Sequence, residues 1–310
     1  DLNQEYHKSV VAIGNFDGIH NGHKALIRKV VQLANQNARL AGLITFTPHP
    51  RVFFSGEKNF SQINDEVTKQ DILSRQDLDI LFKIKFNKQL SLMPPDVFFN
   101  HVLKNGINVS HIIVGSDFKF GYKRSGNIEI LKYLSKENNI GFDVIEKQAN
   151  SLSKTYSSSS IREYLLQGNI AEVNKMLGHY WYTMGVVITG ANKGNQIGYP
   201  TINIRLDGSI KFAHGIYATN VYIDSKRYQG ATYYGKRPTY EGTEEFLETY
   251  IFDFNSNIYD HEVKIEFIDF VRYDQTYESD NKLKNQMKID CENVLIKLQY
   301  YDKKFSLLDK

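Results

Sequence analysis

The hydrophobic and polar positions of the first half of the chain alternate between short apolar runs and amphipathic stretches. The apolar runs predict strands at 9–13, 40–46, 80–86, 111–115 and 141–146. Stretches with helical periodicity lie between them, at 65–75, 96–104 and 127–137, and a further helical pattern begins at Ala25, after the first strand. Strands separated by helices predict right-handed crossovers and a parallel, doubly wound sheet.

The pattern changes near residue 180, where helical periodicity gives way to β-branched and aromatic runs. These runs predict strands at 184–189, 201–205, 215–223, 228–234, 247–254 and 263–270, at the spacing of an antiparallel β-barrel. A long helix is predicted at about 279–298, with Ile289, Val294 and Leu298 among its apolar positions. We therefore expect two domains, an α/β domain over residues 1–181 and a β-barrel with a C-terminal helix over residues 182–310.

Composition and charge narrow the classes of protein. The 310 residues, of which 41% are hydrophobic, favour two cores of ordinary size. The 38 basic residues are interleaved with 35 acidic ones for a net charge of +3, so neither a nucleic-acid nor a membrane partner is expected. Cys291 is the single cysteine, and no run resembles a signal peptide or a membrane span. We expect a cytoplasmic protein, and the sequence leaves open whether it forms homo-oligomers.

The turn after the first predicted strand carries the first candidate chemistry. The strand stops at Gly14, and the turn that follows contains His20 and His23, three residues apart around Gly22. We expect Asn21 to be the N-cap of the next helix, whose free amide groups and positive dipole end attract phosphate. A glycine at position 22 would let a phosphate chain approach the backbone. The alternative interpretation is that both histidines are ordinary surface residues.

This turn resembles a known nucleotide-binding signature. H-x-G-H at a strand-to-helix turn resembles the nucleotidylyltransferase superfamily, whose members transfer a nucleoside monophosphate from a triphosphate. The longer string from Gly14 to His23, GNFDGIHNGH, is similar to that of the bacterial FAD synthetases. The resemblance implies that His20 and His23 are catalytic, and it implies ATP-phosphate binding by Gly14, Asn15, Phe16, Asp17 and Gly22.

Two polar segments follow other strands of the predicted sheet, where ligands bind in such folds. The segment TFTPHP, residues 45–50, resembles the TF-x-PHP of the FAD synthetases, although Thr47 stands where an acidic residue is common. The segment VGSDFKFG, residues 114–121, is similar to their VG-x-DF-x-FG. The resemblance implies a flavin pocket bordered by His49, Asp117, Phe118 and Phe120. Alternatively, His49 only braces a turn between two prolines and Asp117 only caps a turn, so that neither they nor Lys119 contact the substrate.

A run of serines before another predicted helix is the third such segment. The string SSSSIR, residues 157–162, resembles the second phosphate motif of the superfamily, in which hydroxyls and an arginine grip the β- and γ-phosphates. The resemblance implies phosphate contacts from Ser157, Ser158 and Ser159 and a catalytic role for Arg162. The alternative is a plain serine N-cap before a helix at 161–167. Both interpretations can hold, because capping and phosphate binding use the same helix end.

In the predicted barrel the informative stretch is GANKGNQIGYPTIN, residues 190–203. A glycine-punctuated loop can present amide groups to phosphate, and Thr201 and Asn203 on one strand face offer hard oxygen ligands to Mg²⁺. Without the P-T-x-N ending, the loop would read as a hairpin turn. With it, the stretch resembles the riboflavin kinases, as do HGIYA (214–218), GKRPT (235–239) and Leu247-Glu248 followed by IFDF (251–254).

The resemblance to riboflavin kinases implies roles for residues across the barrel. Glu248 would be the base that deprotonates the ribityl hydroxyl of the flavin, and Thr201 and Asn203 would hold the metal and nucleotide. The remaining implied site residues are Gly190, Lys193, Gly194, Gly198 and Pro200 for the ATP phosphates, and Arg237 and Arg272 for the flavin.

The strand pattern around Glu248 and two departures from the family bear on this implied site. Leu247, Thr249 and Ile251 alternate with Glu248, Tyr250 and Phe252, so one strand face carries the glutamate beside aromatic rings. The family usually has Asn-Ile-Gly where this chain has Tyr233-Tyr234-Gly235, and Leu-Tyr-Gly where it has Ile258-Tyr259-Asp260. These departures concern flavin affinity and loop geometry more than the reaction type.

The two resemblances together predict a bifunctional riboflavin kinase and FAD synthetase. Its substrates would be riboflavin, FMN and ATP with Mg²⁺, and its products FMN, FAD and pyrophosphate. The first alternative is a single-activity FMN adenylyltransferase whose barrel binds flavin without phosphorylating it. The second is a noncatalytic nucleotide or flavin sensor that kept both folds.

Overall fold

The computed structural model describes residue 6 and residues 8–56, 59–146, 156–189, 198–206, 208–239 and 242–306. For residues 237–239, 242–244 and 303–306 it describes the backbone alone. The chain divides into two compact units, the first made of residues 1–60 and 69–157, and the second of residues 61–68 and 158–310. The predicted functional boundary between residues 181 and 182 stays a prediction.

The first unit is built on a five-stranded parallel sheet, which confirms the predicted doubly wound fold. Its strands are β1 (Val10–Ile13), β2 (Ala41–Thr47), β3 (Ile80–Lys85), β4 (His111–Gly115) and β5 (Gly141–Ile145), in the order β3-β2-β1-β4-β5. All four residues of β1 are buried, as expected for a central strand covered on both faces. Strand order reverses at β1, which pairs with both β2 and β4. Ligands bind at such a switch point, beyond the carboxyl end of β1.

The helices predicted for the first unit are present, but their first and last residues differ from the predicted ones. They are α1 (Asn21–Gln36), α2 (Pro50–Ser55), α3 (Glu66–Ser74), α4 (Lys88–Ser91), α5 (Pro95–Phe98) and α6 (Ile128–Glu137), together with a π-helix at Phe99–Ile107 and a 3₁₀ turn at Tyr122–Arg124. The helix predicted near 96–104 is present as α5 continued by the π-helix, which buries Phe99, Leu103 and Ile107 at a spacing of four. The helices α2 and α4 were not predicted.

The second unit is a closed antiparallel barrel with helices, which confirms the predicted barrel. Two helices, α7 (Ser158–Leu166) and α8 (Ile170–Leu177), precede strands β6 (Trp181–Ile188), β7 (Thr201–Arg205), β8 (Gly215–Ile223), β9 (Lys226–Thr239), β10 (Gly242–Ile251) and β11 (Glu262–Tyr273). The barrel closes in the order β10-β7-β6-β11-β8-β9, and helix α9 (Asp280–Ser306) follows β11. Within the described residues, no helix is both long and apolar enough to cross a membrane.

Residues 61–68, which precede most of α3 in the chain, belong to the second unit. The indole of Trp181 donates a hydrogen bond of 2.8 Å to the carbonyl of Ile63, and both side chains are almost fully buried. The amide of Gln62 donates to the carbonyl of Ser209 at 2.8 Å, and the amide of Met184 donates to the Thr68 hydroxyl at 3.2 Å. The barrel unit therefore contains a segment from the first half of the sequence.

Candidate functional site

The turn between β1 and α1 is strained and buried. Phe16 and Ile19 have φ values of 49° and 43°, in the left-handed region that β-branched and bulky residues rarely adopt. Both side chains are fully buried, and Asp17 is 6% exposed. A strained backbone persists where packing over-determines it, and such residues cluster at ligand sites. The predicted phosphate-binding positions from Gly14 to Asp17 lie in this turn, so its shape is held by the core beneath it.

His20 is the N-cap of α1, so the prediction that Asn21 caps the helix was wrong. The helix begins at Asn21, and Nδ1 of His20 accepts a hydrogen bond of 3.3 Å from the amide of His23. Because Nδ1 accepts, the proton of the neutral imidazole lies on Nε2. The rings of His20 and His23 are stacked with their centroids 3.8 Å apart. A Cβ at Gly22 would lie 3.1 Å from the His20 ring, so the glycine lets that ring pack over the helix start.

His23 is a buried, neutral imidazole. Burial is the main cause that holds its pKa well below the usual value of 6.5, and electrostatic interactions with His20 and Lys69 lower it further. Its Nδ1 atom is buried and makes no hydrogen bond to the part of the chain that the structure describes. The bound phosphates of a nucleotide would bring the negative charge that favours the protonated ring. The pair is therefore suited to stabilising charge that arrives with a ligand.

Lys69 is a site residue that the sequence analysis missed. Its side chain is 8% exposed, and its ammonium group donates hydrogen bonds of 2.8 Å to the carbonyl of Asn15 and to the hydroxyl of Thr45. The ammonium group thus supports the strained turn from beneath and places a positive charge near His23. A lysine within an amphipathic helix gives no sequence signal for this role, because most such lysines are solvated.

The other predicted segments of the first unit divide between exposed and packed positions. His49 is the N-cap of α2, where Nδ1 accepts from the amide of Arg51 at 3.1 Å and the ring stacks on Phe60 at 4.7 Å. Asp117 is exposed after β4, and Phe118 is half-buried. Phe120 is 8% exposed and belongs to the sheet core. Phe120 therefore supports the loop from below, and flavin contact by His49, Asp117 and Phe118 stays a prediction.

The predicted second phosphate motif begins helix α7. Ser158 and Ser159 are the first two residues of this helix, which begins three residues before the predicted start at 161. Ser157 precedes it. Arg162 lies one turn into the helix, and its Nε donates to the carbonyl of Ser61 at 2.6 Å. Hydroxyls in a first helical turn are in the position of an anion site, and their contact with phosphate stays a prediction.

In the barrel, Thr201 and Glu248 are in direct contact. The Thr201 hydroxyl donates a hydrogen bond of 2.5 Å to Oε1 of Glu248. Glu248 is half-buried on the outer face of β10, whereas Leu247, Thr249 and Ile251 are buried inside the barrel, as the alternation predicted. Asn203 pairs directly with Glu248 across the β7–β10 ladder and is 6% exposed. The structure therefore brings the predicted base and both predicted metal ligands together.

These residues belong to a row that crosses five strands. Direct register partners link Asn203 of β7 to Glu248 of β10, Glu248 to Tyr233 of β9, Tyr233 to Ile216 of β8, and Ile216 to Arg272 of β11. Directly paired residues have their side chains on the same face of a sheet. We call these five residues the outer row; it carries three predicted site residues and two that were not predicted.

Arg272 is engaged in an ion pair at one end of the outer row. Its Nε and Nη2 donate to the two carboxylate oxygens of Asp290 in α9, at 2.8 and 2.6 Å, and Asp290 is 3% exposed. Its Nη1 donates to the carbonyl of Tyr273 at 2.9 Å. The guanidinium therefore fixes α9 against the barrel, and a direct flavin contact stays a prediction. Gly190, Lys193 and Gly194 lie outside the described residues, as does the side chain of Arg237.

A cavity of about 310 Å³ opens beside the other end of the outer row. Pro200, Thr201 and Asn203 line it, whereas Gly198 is exposed with a φ of 89°. The rest of the wall comes from the end of β6, from β7, from the end of β10 and from the loop after it: Val187, Ile202, Ile251, Phe254, Asn255, Ser256, Asn257, Ile258 and Tyr259. Asp260 closes that loop with a φ of 64°, which explains why glycine is usual there in the resembled family.

Comparison with known proteins agrees with this two-site geometry. Residues 2–160 match the family model for FAD synthetase, and residues 177–298 match the family model for riboflavin kinase. A bifunctional riboflavin kinase/FMN adenylyltransferase from Buchnera aphidicola is 33% identical over 92% of this chain and 93% of its own length. The chain belongs to this bifunctional family. A second member, from Haemophilus influenzae, is 34% identical over 91% of this chain and 92% of its own.

A solved structure supports the fold of this family member. The crystal structure described as a macrolide-efflux protein from Streptococcus pneumoniae superposes with a TM-score of 0.81 at 30% identity, covering 92% of this chain and 93% of that one. Its description differs from that of the sequence relatives, and the likeness supports the fold alone. The resemblance to FAD synthetases and riboflavin kinases, predicted from the motifs, is confirmed.

Proposed function

We propose that this chain phosphorylates riboflavin to FMN in the barrel unit and adenylylates FMN to FAD with the histidines of the first unit. Membership of the bifunctional family over both halves supports the pair of activities. The observation that carries the kinase activity, against a barrel that only binds flavin, is the hydrogen bond between Thr201 and Glu248 beside the cavity. The departures at Tyr233 and Asp260 leave that contact in place.

The kinase step needs a base and a means of neutralising phosphate charge. The bond from Thr201 holds Oε1 of Glu248, so the carboxylate is oriented to take the proton of the riboflavin 5′-hydroxyl as its oxygen attacks the γ-phosphorus of ATP. The bond from that phosphorus to the β-phosphate oxygen breaks, and ADP leaves. The cavity lined by Pro200, Thr201 and Asn203 would hold the nucleotide.

The oxygen atoms at this site fit Mg²⁺. A threonine hydroxyl and an asparagine amide beside a carboxylate form a hard-oxygen set, and such a set with few protein ligands is typical of Mg²⁺ that is bound together with phosphates. Thr201 and Asn203 would hold the ion with ATP. When bound, it would neutralise charge on the β- and γ-phosphates.

The adenylyl step needs no general base. The phosphate of FMN is already ionised near neutral pH; one of its oxygens attacks the α-phosphorus of ATP, and the bond to the β-phosphate breaks to release pyrophosphate. His20 and His23, stacked over the start of α1, would stabilise the charge on the phosphates with the amide groups of that helix. Lys69 supports the turn beneath them. Ser157, Ser158, Ser159 and Arg162 are proposed to act in the same step.

The experiment that tests this function is a product assay. Purified chain is incubated with riboflavin, ATP and Mg²⁺, and the flavins are separated by chromatography over time. We expect FMN to appear first and FAD to follow, with both reactions stopping when a chelator removes Mg²⁺. FAD formed from supplied FMN, without FMN from riboflavin, would favour the single-activity alternative. No turnover of either flavin would favour a sensor.

A further inference from the structure

Tyr233 stands next to the proposed base and is one of the departures from the resembled family. It pairs directly with Glu248 across the β9–β10 ladder, which places both side chains on the outer face of the barrel. The Tyr233 ring is half-buried, and its hydroxyl donates a hydrogen bond of 3.0 Å to Oδ2 of Asp274. The ring lies along β9 over Gly235, where a Cβ would overlap the phenol oxygen. The ring is therefore fixed at both ends.

Along the outer row, the two substrates would approach Glu248 from opposite sides. Thr201 and Asn203, on β7, lie on the side of the nucleotide cavity. In-line phosphoryl transfer requires that the acceptor hydroxyl approach the phosphorus from the side opposite to the leaving group. Tyr233, on β9, is the neighbour of Glu248 on that opposite side. The acceptor therefore has to lie over β9.

The length of the acceptor decides which part of it meets Tyr233. Neighbouring strands are about 4.8 Å apart. A five-carbon ribityl chain, with its terminal hydroxyl at Glu248, spans that distance, so the isoalloxazine ring begins over β9. Phe246 forms a T-shaped pair with Tyr233, with 5.8 Å between the centroids, so it does not stack face to face on the Tyr233 ring.

We propose that Tyr233 is a specificity-determining residue of the kinase site, whose ring is the surface on which the isoalloxazine of riboflavin stacks. Asp274 holds this ring in place through the phenol hydroxyl. An asparagine, usual at this position in the resembled family, cannot supply such a surface. The proposal rests on the kinase activity given above, and it assigns the recognition of the flavin ring to a residue in which this chain departs from the family.

The test compares Tyr233→Asn with Tyr233→Phe. The Asn variant loses the aromatic face, so its KM for riboflavin should rise about tenfold, the size of one aromatic stacking contact, while kcat and the KM for ATP stay near the parent values. The Phe variant keeps the face and should remain within about threefold of the parent, since it loses a single exposed hydrogen bond. Tyr222→Asn, which removes a barrel-surface tyrosine on β8 outside the outer row, is the matched control.

Flavin fluorescence gives a second reading that general destabilisation would not produce. Stacking on a tyrosine ring quenches the fluorescence of the isoalloxazine, so bound riboflavin should be quenched by the parent and by Tyr233→Phe and should be brighter on Tyr233→Asn. Lumiflavin, which has the ring but no ribityl chain, should lose affinity for Tyr233→Asn by a similar factor.

Two outcomes would overturn the proposal while leaving the kinase function intact. If the parent makes FMN but Tyr233→Asn keeps the riboflavin KM and quenching of the parent, Tyr233 does not contact the flavin. If riboflavin binds Tyr233→Asn less tightly and lumiflavin does not, the residue contacts the ribityl chain instead of the ring. Failure of the parent to make FMN would refute the proposed kinase function itself.

Discussion

Replacing Glu248 with glutamine tests the base of the kinase step with the smallest change of shape. A glutamine oxygen can still accept the hydrogen bond that the Thr201 hydroxyl donates to Oε1 at 2.5 Å, so the cavity beside it should keep its form. The amide cannot accept the proton of the ribityl hydroxyl. We therefore expect riboflavin and ATP to bind Glu248→Gln almost as they bind the parent, while kcat falls.

The size of the fall follows from what the residue does. A positioned general base contributes about 10²- to 10⁴-fold, so kcat for FMN formation should decrease at least 10²-fold, a loss of about 2.7 kcal/mol of transition-state stabilisation. Thr201→Val removes the bond to Oε1 and keeps the carboxylate. A hydrogen bond to a charged group contributes about 1.5 to 3 kcal/mol, so this variant should lose roughly 10- to 100-fold in kcat/KM. The two losses should add only in part in the double variant, because the bond from Thr201 acts through the same carboxylate, whereas the proposed contact of Thr201 with Mg²⁺ does not.

The assay follows FMN formation from riboflavin at saturating ATP and Mg²⁺, with FAD formation from supplied FMN measured in parallel. The parallel reaction is the internal control, since Glu248 lies in the barrel and should not affect it. Binding of riboflavin is measured separately by fluorescence titration. A Glu248→Gln variant that phosphorylates riboflavin at a rate near that of the parent would show that another group takes the proton.

Four further outcomes are expected. His20→Ala and His23→Ala should each lower FAD formation about 10²-fold or more and leave FMN formation almost unchanged; loss of both activities in the same assay would show that the histidines are structural. Arg162→Ala should weaken ATP use in the adenylyl step alone, and an unchanged rate there would remove it from the site. Burial, His20 and Lys69 hold the pKa of His23 well below 6.5, so below about pH 6.5 the unfolded chain binds a proton that the folded chain does not bind, and the free energy of unfolding should fall as the pH decreases. In urea unfolding, His23→Gln should show a smaller decrease than the parent. An unchanged pH dependence would contradict the assignment. Asp260→Ala should be less stable than Asp260→Gly by roughly 1 kcal/mol, because alanine is strained at a φ of 64°, and equal urea midpoints would refute this reasoning.

The sequence predicted strands and the turns between them well where the signal is local. The bounds of β7 and β8 agree with the predicted ranges, since β-branched residues fill those strands and turn residues flank them. The N-cap of α1 was predicted one residue too late, at Asn21 instead of His20, because histidine is an uncommon cap and its ring bond to His23 is visible only in three dimensions. For α8, a signal was present and went unused: Asn169 and Glu172 form a capping pattern.

Contacts between distant segments could not be predicted. The outer row depends on four strand registers, which are set by turn lengths and by closure of the barrel between β10 and β7. The motifs identify Asn203, Glu248 and Arg272 separately, but they do not show that Tyr233 lies between Glu248 and Arg272. Lys69 was missed for the same reason, because its partners Asn15 and Thr45 lie far from it in the chain.

The segment 61–68 has a consequence for how the chain can fold. The hydrogen bond between Trp181 and Ile63 joins residues 118 positions apart, and the family match for riboflavin kinase begins only at residue 177. During synthesis from the N-terminus, the segment emerges long before the barrel strands that bury it. It must therefore stay unpaired until those strands arrive, and such non-local closure slows folding. A fragment that begins at residue 177 would lack the hydrogen-bond partner of the Trp181 indole, so its barrel should be less stable than the barrel of the whole chain.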